Sequence, residues 1–205
     1  MARTRILTIA IGALALAGCG HAPVQINDRQ DYLAEATRMY PGEQKERVIQ
    51  AAETILKSSD PGKLDMRYTG KGFVGLRQYA YYAILVAGNG QEKWEFEVEE
   101  RTGAQFASLS VSDAGIVAAG SSVSRYESSL KAIPLYRLFW KRMDYMLGRR
   151  ADWVACADEA QELEKSGVNP LGALSGLCGG TSAGRNDAPP PPLGRNSVRP
   201  ANRTS

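Results

Sequence analysis

Gly70-Lys71-Gly72-Phe73-Val74-Gly75 has, letter for letter, the GxGxxG spacing with which backbone amides cradle a phosphate. Such a cradle needs a strand before it and a helix after it, so that the anion meets a helix N-terminus. Here a tyrosine-rich strand pattern follows, and the glycines read as a flexible turn between strands. Ser128-Ser129-Leu130-Lys131 carries the SxxK spacing by which a lysine one helical turn away activates a serine. No KTG triplet accompanies it, and the spacing reads as chance. Glu95, Glu97 and Glu99 fall about 7 Å apart on one face of a strand. Paired carboxylates can cleave glycosidic bonds or hold a cation, but charge alternating with apolar residues is the pattern of a solvated sheet face. His21 is the only histidine and lies near the N-terminus, which leaves no histidine-based acid–base pair in the body.

Aromatic residues offer binding rather than reaction chemistry. Tyr79 and Tyr81 share one face of a strand and Tyr82 takes the other, a row able to stack on a sugar or grip an extended peptide. Trp140 falls off the main stripe of its helix. With Tyr136 and Met143 one turn to either side it could line an exposed docking patch, the alternative being core packing. Tyr79, Tyr81 and Trp140 are the candidate binding residues. No catalytic residue, metal ligand or cofactor is expected. The spacing of Cys156 and Cys178 contains no CxxC. Their expected fate in an oxidising compartment is a disulfide contributing about 3 kcal/mol, the alternatives being buried thiols or an intermolecular bridge.

Composition sets the remaining limits. An apolar share of 43% and a charged share of 23% over 205 residues belong to a globular domain with tails. The formal charge of +3 falls to +1 once Arg3 and Arg5 are set aside, and Arg185, Arg195, Arg199 and Arg203 concentrate positive charge after residue 180. The body is therefore close to neutral, which argues against nucleic acid as a partner.

Arg3 and Arg5 precede an apolar run over residues 6–16, too short to span a bilayer but suited to the core of a secretory signal. Leu16-Ala17-Gly18-Cys19 follows. The ordering resembles the lipobox of bacterial lipoproteins, which implies cleavage before Cys19 and acylation of that residue. An ordinary secretory signal with Cys19 as a free thiol is the alternative. Gly20, rather than Asp, after the cysteine resembles lipoproteins sorted to the outer membrane. The resemblance implies a protein anchored there by lipid and facing the periplasm.

The elements that must position these residues read as follows. Residues 1–18 form the signal and 19–31 a tether. An α+β domain over 32–111 opens with a short helix, capped by Asp31 and running through Met39. A second helix carries Val48, Ala51, Ala52 and Ile55 at helical spacing. A strand at 64–68 precedes a central one at 78–87. Gly88-Asn89-Gly90-Gln91 reads as a tight hairpin turn, and Trp94, Phe96 and Val98 alternate with the three glutamates on the returning strand. Arg101-Thr102-Gly103 turns into a further strand at 105–111. The sequence predicts a helix packed on an antiparallel meander. Residues 112–131 are small, without usable period, and read as a flexible connector. The segment 132–180 holds two helices, one over 135–147 and one capped by Asp152, joined through Cys156 and Cys178. Residues 181–205, with four consecutive prolines at 189–192, read as a disordered tail.

The helix-plus-meander over 43–111 is loosely similar to domains of lipoproteins that accompany outer-membrane assembly machines and conjugative secretion systems. The expected role is a non-catalytic scaffold or accessory subunit, held to the bilayer through acylated Cys19 and binding another envelope protein, for example by strand addition at a sheet edge. A module for peptidoglycan, glycan or lipid is the alternative.

Overall fold

The computed structural model describes residues 29–59, 64–83, 85–129, 132–178 and 187–194. The expected signal, Cys19, the tether through residue 28, and tail positions 181–186 and 195–205 lie outside the described residues.

Helix α1 (Arg29–Ala36) leads into strand β1 (Thr37–Pro41), followed by helix α2 (Lys45–Ser59). Strands β2 (Leu64–Tyr68), β3 (Gly72–Ala83), β4 (Val86–Arg101), β5 (Ala104–Ala119) and β6 (Ser122–Ser129) come next. Helices α3 (Ile133–Met146) and α4 (Cys156–Lys165) and the single turn α5 (Pro170–Ala173) follow. All strand pairs are antiparallel, in the order β1-β5-β4-β3-β2, with β6 also paired to β5. The expected α+β class with a meander is what forms.

One face of the sheet's base is covered by helices. Phe73, Trp94, Phe96, Val98, Ala107, Leu109 and Val111 point inward and are buried. They meet Val48, Ala51, Ala52, Ile55 and Leu56 of α2, and Leu135, Leu138, Phe139 and Met143 of α3. Phe96 is the hub: its ring centroid lies 5.5 Å from Phe73, 5.9 Å from Phe139 and 6.4 Å from Trp140. Each buried Val, Leu, Ile, Phe or Met side chain among them contributes about 1.5–3 kcal/mol. The opposite face is solvated, as the alternation of Glu95, Glu97 and Glu99 predicts. There Glu95 pairs with Lys93 at 2.7 Å, and Glu99 pairs with Lys71 at 2.6 Å and Arg101 at 3.0 Å.

Four expectations are corrected. The helix expected to follow a tether ending at Asp31, to be capped by that residue and to run through Met39 instead spans Arg29–Ala36, with Asp31 in its first turn. Residues 37–41 become β1, pairing from Thr37↔Ser108 to Pro41↔Ala104. The bare edge of β5 supplies backbone partners that a continued helix would forgo. The hairpin turn expected at 88–91 lies inside β4. β3 and β4 pair as far as Ala83↔Val86, so the chain reverses earlier, and Gly88 and Gly90 sit opposite Tyr81 and Tyr79. The glycines make room for tyrosine rings across the strand rather than for a turn. The connector expected at 112–131 is mostly a β-hairpin: residues 112–119 continue β5, and Gly120, at φ 58°, turns the chain into β6. Its small side chains gave no period, yet β4 on one side and β6 on the other complete its ladder. Asp152 does not cap the second of the late helices; α4 begins at Cys156 after Ala155.

Cys156 and Cys178 lie with their sulfurs at bonding distance and their Cα atoms 5.6 Å apart. Residues 187–194, expected to be disordered, lie against the body. The Leu193 amide donates to Met146 O at 3.0 Å, and Arg47 donates to Leu193 O at 3.1 Å.

Candidate functional site

Beyond the row formed by Arg77, Glu92 and Asp113, four strands run on as an arm past the part of the sheet that α2 and α3 cover. Arg77 and Glu92 mark the boundary. Both are buried, 3.6 Å apart, and Arg77 also donates to Leu56 O at 2.8 Å. Arg77 donates to Gly176 O as well, and Glu92 accepts from the Trp94 indole at 3.3 Å, which offsets part of the cost of burying the two charges.

On the inner face of the arm, cross-strand rows place Tyr79, Gly90, Gly115 and Tyr126 side by side. The Tyr79 hydroxyl donates to Asp113 Oδ1 at 2.6 Å and meets the Tyr126 hydroxyl. Burial, then the bond to Asp113, pushes the Tyr79 phenol well above its ordinary range. A Cβ on Gly115 would stand 2.5 Å from Asn89 O and 2.7 Å from the Tyr126 hydroxyl, so glycine is required for the rings to cross the sheet there. Tyr79 is thus spent within the arm. Tyr81, on the same face over Gly88, remains partly exposed.

The outer face carries two rows, Gln78, Gln91, Ala114 and Glu127, then Ala80, Asn89, Ile116 and Arg125. An open groove of about 1060 Å³ lies along these rows, with Gln78, Gln91, Ile116 and Arg125 among its lining. At the tip the apolar side chains stand in solvent: Tyr82 is 83% exposed, Leu85 77% and Val123 69%. Two backbone edges of the arm are also bare among the described residues. β2 covers β3 only from Phe73 to Arg77, leaving 78–83 without a neighbour on that side, and β6 is paired on one side only.

The candidate residues therefore part company. Tyr79 and Tyr81 do lie together on the arm. Trp140 does not join them, and its candidacy as a docking residue is corrected: it is fully buried, its indole donates to Glu35 O at 2.7 Å, and Tyr40, Phe96 and Phe139 surround it. A tryptophan off a helix's main stripe is buried here because α1 and β1 wrap the helix's second side. The sequence reading missed Leu85, Val123 and the β6 edge. Residues 122–129 alternate no apolar face with a polar one, so periodicity gave no signal for β6.

Among the described residues no group of three or more His, Cys, Asp or Glu side chains could hold a metal ion, and no helix is long and apolar enough to cross a membrane. Comparison of the chain with family models, with curated protein sequences and with solved structures finds no match.

Proposed function

We propose that this chain is a lipid-anchored protein of the bacterial envelope that acts as a non-catalytic scaffold, docking another envelope protein on its β-arm. The observation that carries the reading is the arm itself. It is a projecting sheet whose edge at 78–83 has no neighbour among the described residues, and its exposed Tyr82 and Leu85 adjoin that edge. An unpaired edge supplies main-chain hydrogen bonds for strand addition, and flanking apolar side chains supply specificity and anchor area. Natural proteins usually blunt such an edge; leaving it open beside solvent-exposed apolar groups favours an occupant. The anchor rests on the N-terminal pattern ending in Cys19.

The test is site-specific photocrosslinking in native cells, with the reactive group at Leu85 and a control at Glu97 on the solvated base. A stoichiometric protein adduct from Leu85, absent from Glu97 and lost with Tyr82→Ser, supports the scaffold. No protein adduct, together with retention on purified peptidoglycan that Tyr81→Ala removes, overturns it in favour of the glycan-binding alternative. Loss of an incorporated fatty-acid label with Cys19→Ala tests the anchor separately.

A further inference from the structure

We propose that the free edge of β6 is a self-association surface, on which a second copy of this chain pairs antiparallel in a single register centred on Tyr126.

The direction of the backbone groups limits the possible registers. The Gly120 amide donates to Leu85 O at 3.2 Å, on the side of β4, one step beyond the Val86↔Ala119 pair. Alternation along an antiparallel strand then sends the backbone groups of odd-numbered β5 residues toward β6. Through Ala119↔Ser122 and the pairs that follow, the even-numbered residues of β6 answer them. The N–H and C=O groups of Val123, Arg125 and Glu127 therefore point away from the sheet, with no strand beside them among the described residues.

Side-chain charge selects one register from those that remain. Arg125 and Glu127 are both exposed on the outer face, and neither has an ion-pair partner among the described residues. In a two-fold pairing centred on Tyr126, Arg125 of one copy stands opposite Glu127 of the other, twice over. The same register makes 125↔127 the hydrogen-bonded pair, so every outward backbone group from 123 to 127 gains a partner. Shifting the centre to Arg125 or to Glu127 sets like charges face to face, which destabilises a cross-strand pair. β6 also contains neither proline nor lysine, the residues that most often guard an edge. A second copy fits this edge because the strand is complementary to itself in charge and in hydrogen bonding. The surface lies across the arm from the edge at 78–83 and does not depend on the scaffold reading.

The experiment is sedimentation of the full chain in mild detergent, for the wild type, Arg125→Glu, Glu127→Arg and the double reversal. The wild type is expected to dimerise. Each single reversal places two like-charge pairs in the interface and weakens association by about tenfold or more, and the double reversal restores it. In a chain carrying both Ser124→Cys and Ser128→Cys, oxidation is expected to link two copies, because 124 and 128 face each other in this register. A wild type that stays monomeric at about 100 μM overturns the proposal. So does a dimer indifferent to the single reversals, or one that the double reversal does not recover. Matching circular dichroism and melting curves show that the exposed substitutions leave the fold intact, and the Leu85 crosslink is expected to be unchanged in all of them.

Discussion

Arg142 and Asp187, 45 positions apart in the chain, form an ion pair at 2.6 Å inside the junction of α3, α4 and the late segment. The guanidinium has no exposure. It also donates to Val154 O at 3.2 Å, Leu177 O at 3.3 Å and Ser59 Oγ at 3.2 Å, and lies 4.5 Å from the centroid of the Trp153 ring. Asp187 accepts the Cys156 amide at 2.6 Å as well, capping the start of α4. One buried cation thus ties five separate stretches of chain together.

Breaking that pair from one side leaves a buried charge without its partner. Asp187→Ala is expected to cost about 3–5 kcal/mol in denaturant unfolding, far more than a surface substitution. The double variant Arg142→Met/Asp187→Leu is expected to recover most of the loss, because an apolar pair carries no desolvation penalty. Equal losses in the single and double variants would refute the assignment.

Trp140→Ala is expected to destabilise the fold by about 3–5 kcal/mol, through the cavity left among Tyr40, Phe96 and Phe139. Where the variant remains folded, the Leu85 crosslink should persist. A variant with wild-type stability and no crosslink would return Trp140 to the docking surface.

Gly115→Ala is expected to cost about 1–3 kcal/mol, because its Cβ would press on Asn89 O and the Tyr126 hydroxyl. The effect should be local. Amide hydrogen exchange is expected to accelerate in β5 and β6 beyond Asp113 and to stay unchanged in α2 and around Phe96. Uniform acceleration would contradict an arm that hangs on its own glycine–tyrosine rows.

Asp144 titrates above the ordinary 3.8 of a free aspartate, because burial disfavours its charge more than Arg38, Arg149 and Arg150 favour it. A raised folded value means that the ionised group opposes folding, and that stability from this site is lost as pH rises through the raised value. Asp144→Asn is therefore expected to be more stable than wild type at pH 7. The gap should close as pH falls through the raised value toward 3.8, measured by urea unfolding across that range. A gap that widens on acidification would reverse the sign.

Much of the base was legible in the residues. Val48, Ala51, Ala52 and Ile55 announced α2 because a helix against a sheet must bury one stripe. Trp94, Phe96 and Val98 announced the inner face of β4 because a half-buried strand alternates. The pairing of Cys156 with Cys178 followed from the body holding no other cysteine. The arm was not legible. Residues 112–119 have side chains too small to show a period, and Gly88-Asn89-Gly90 has the composition of a turn.

The sequence by itself determined the α+β class, the solvated glutamate face and the spacing of the main helix, because those depend on periodicities within one segment. Only the tertiary structure decided where the sheet ends, which glycines lie under Tyr79 and Tyr81, why Trp140 is buried, and that Arg142 reaches Asp187. Each of these depends on a neighbour distant in sequence. A glycine beneath a ring and a glycine in a turn are the same letter until the strand across from it is in place.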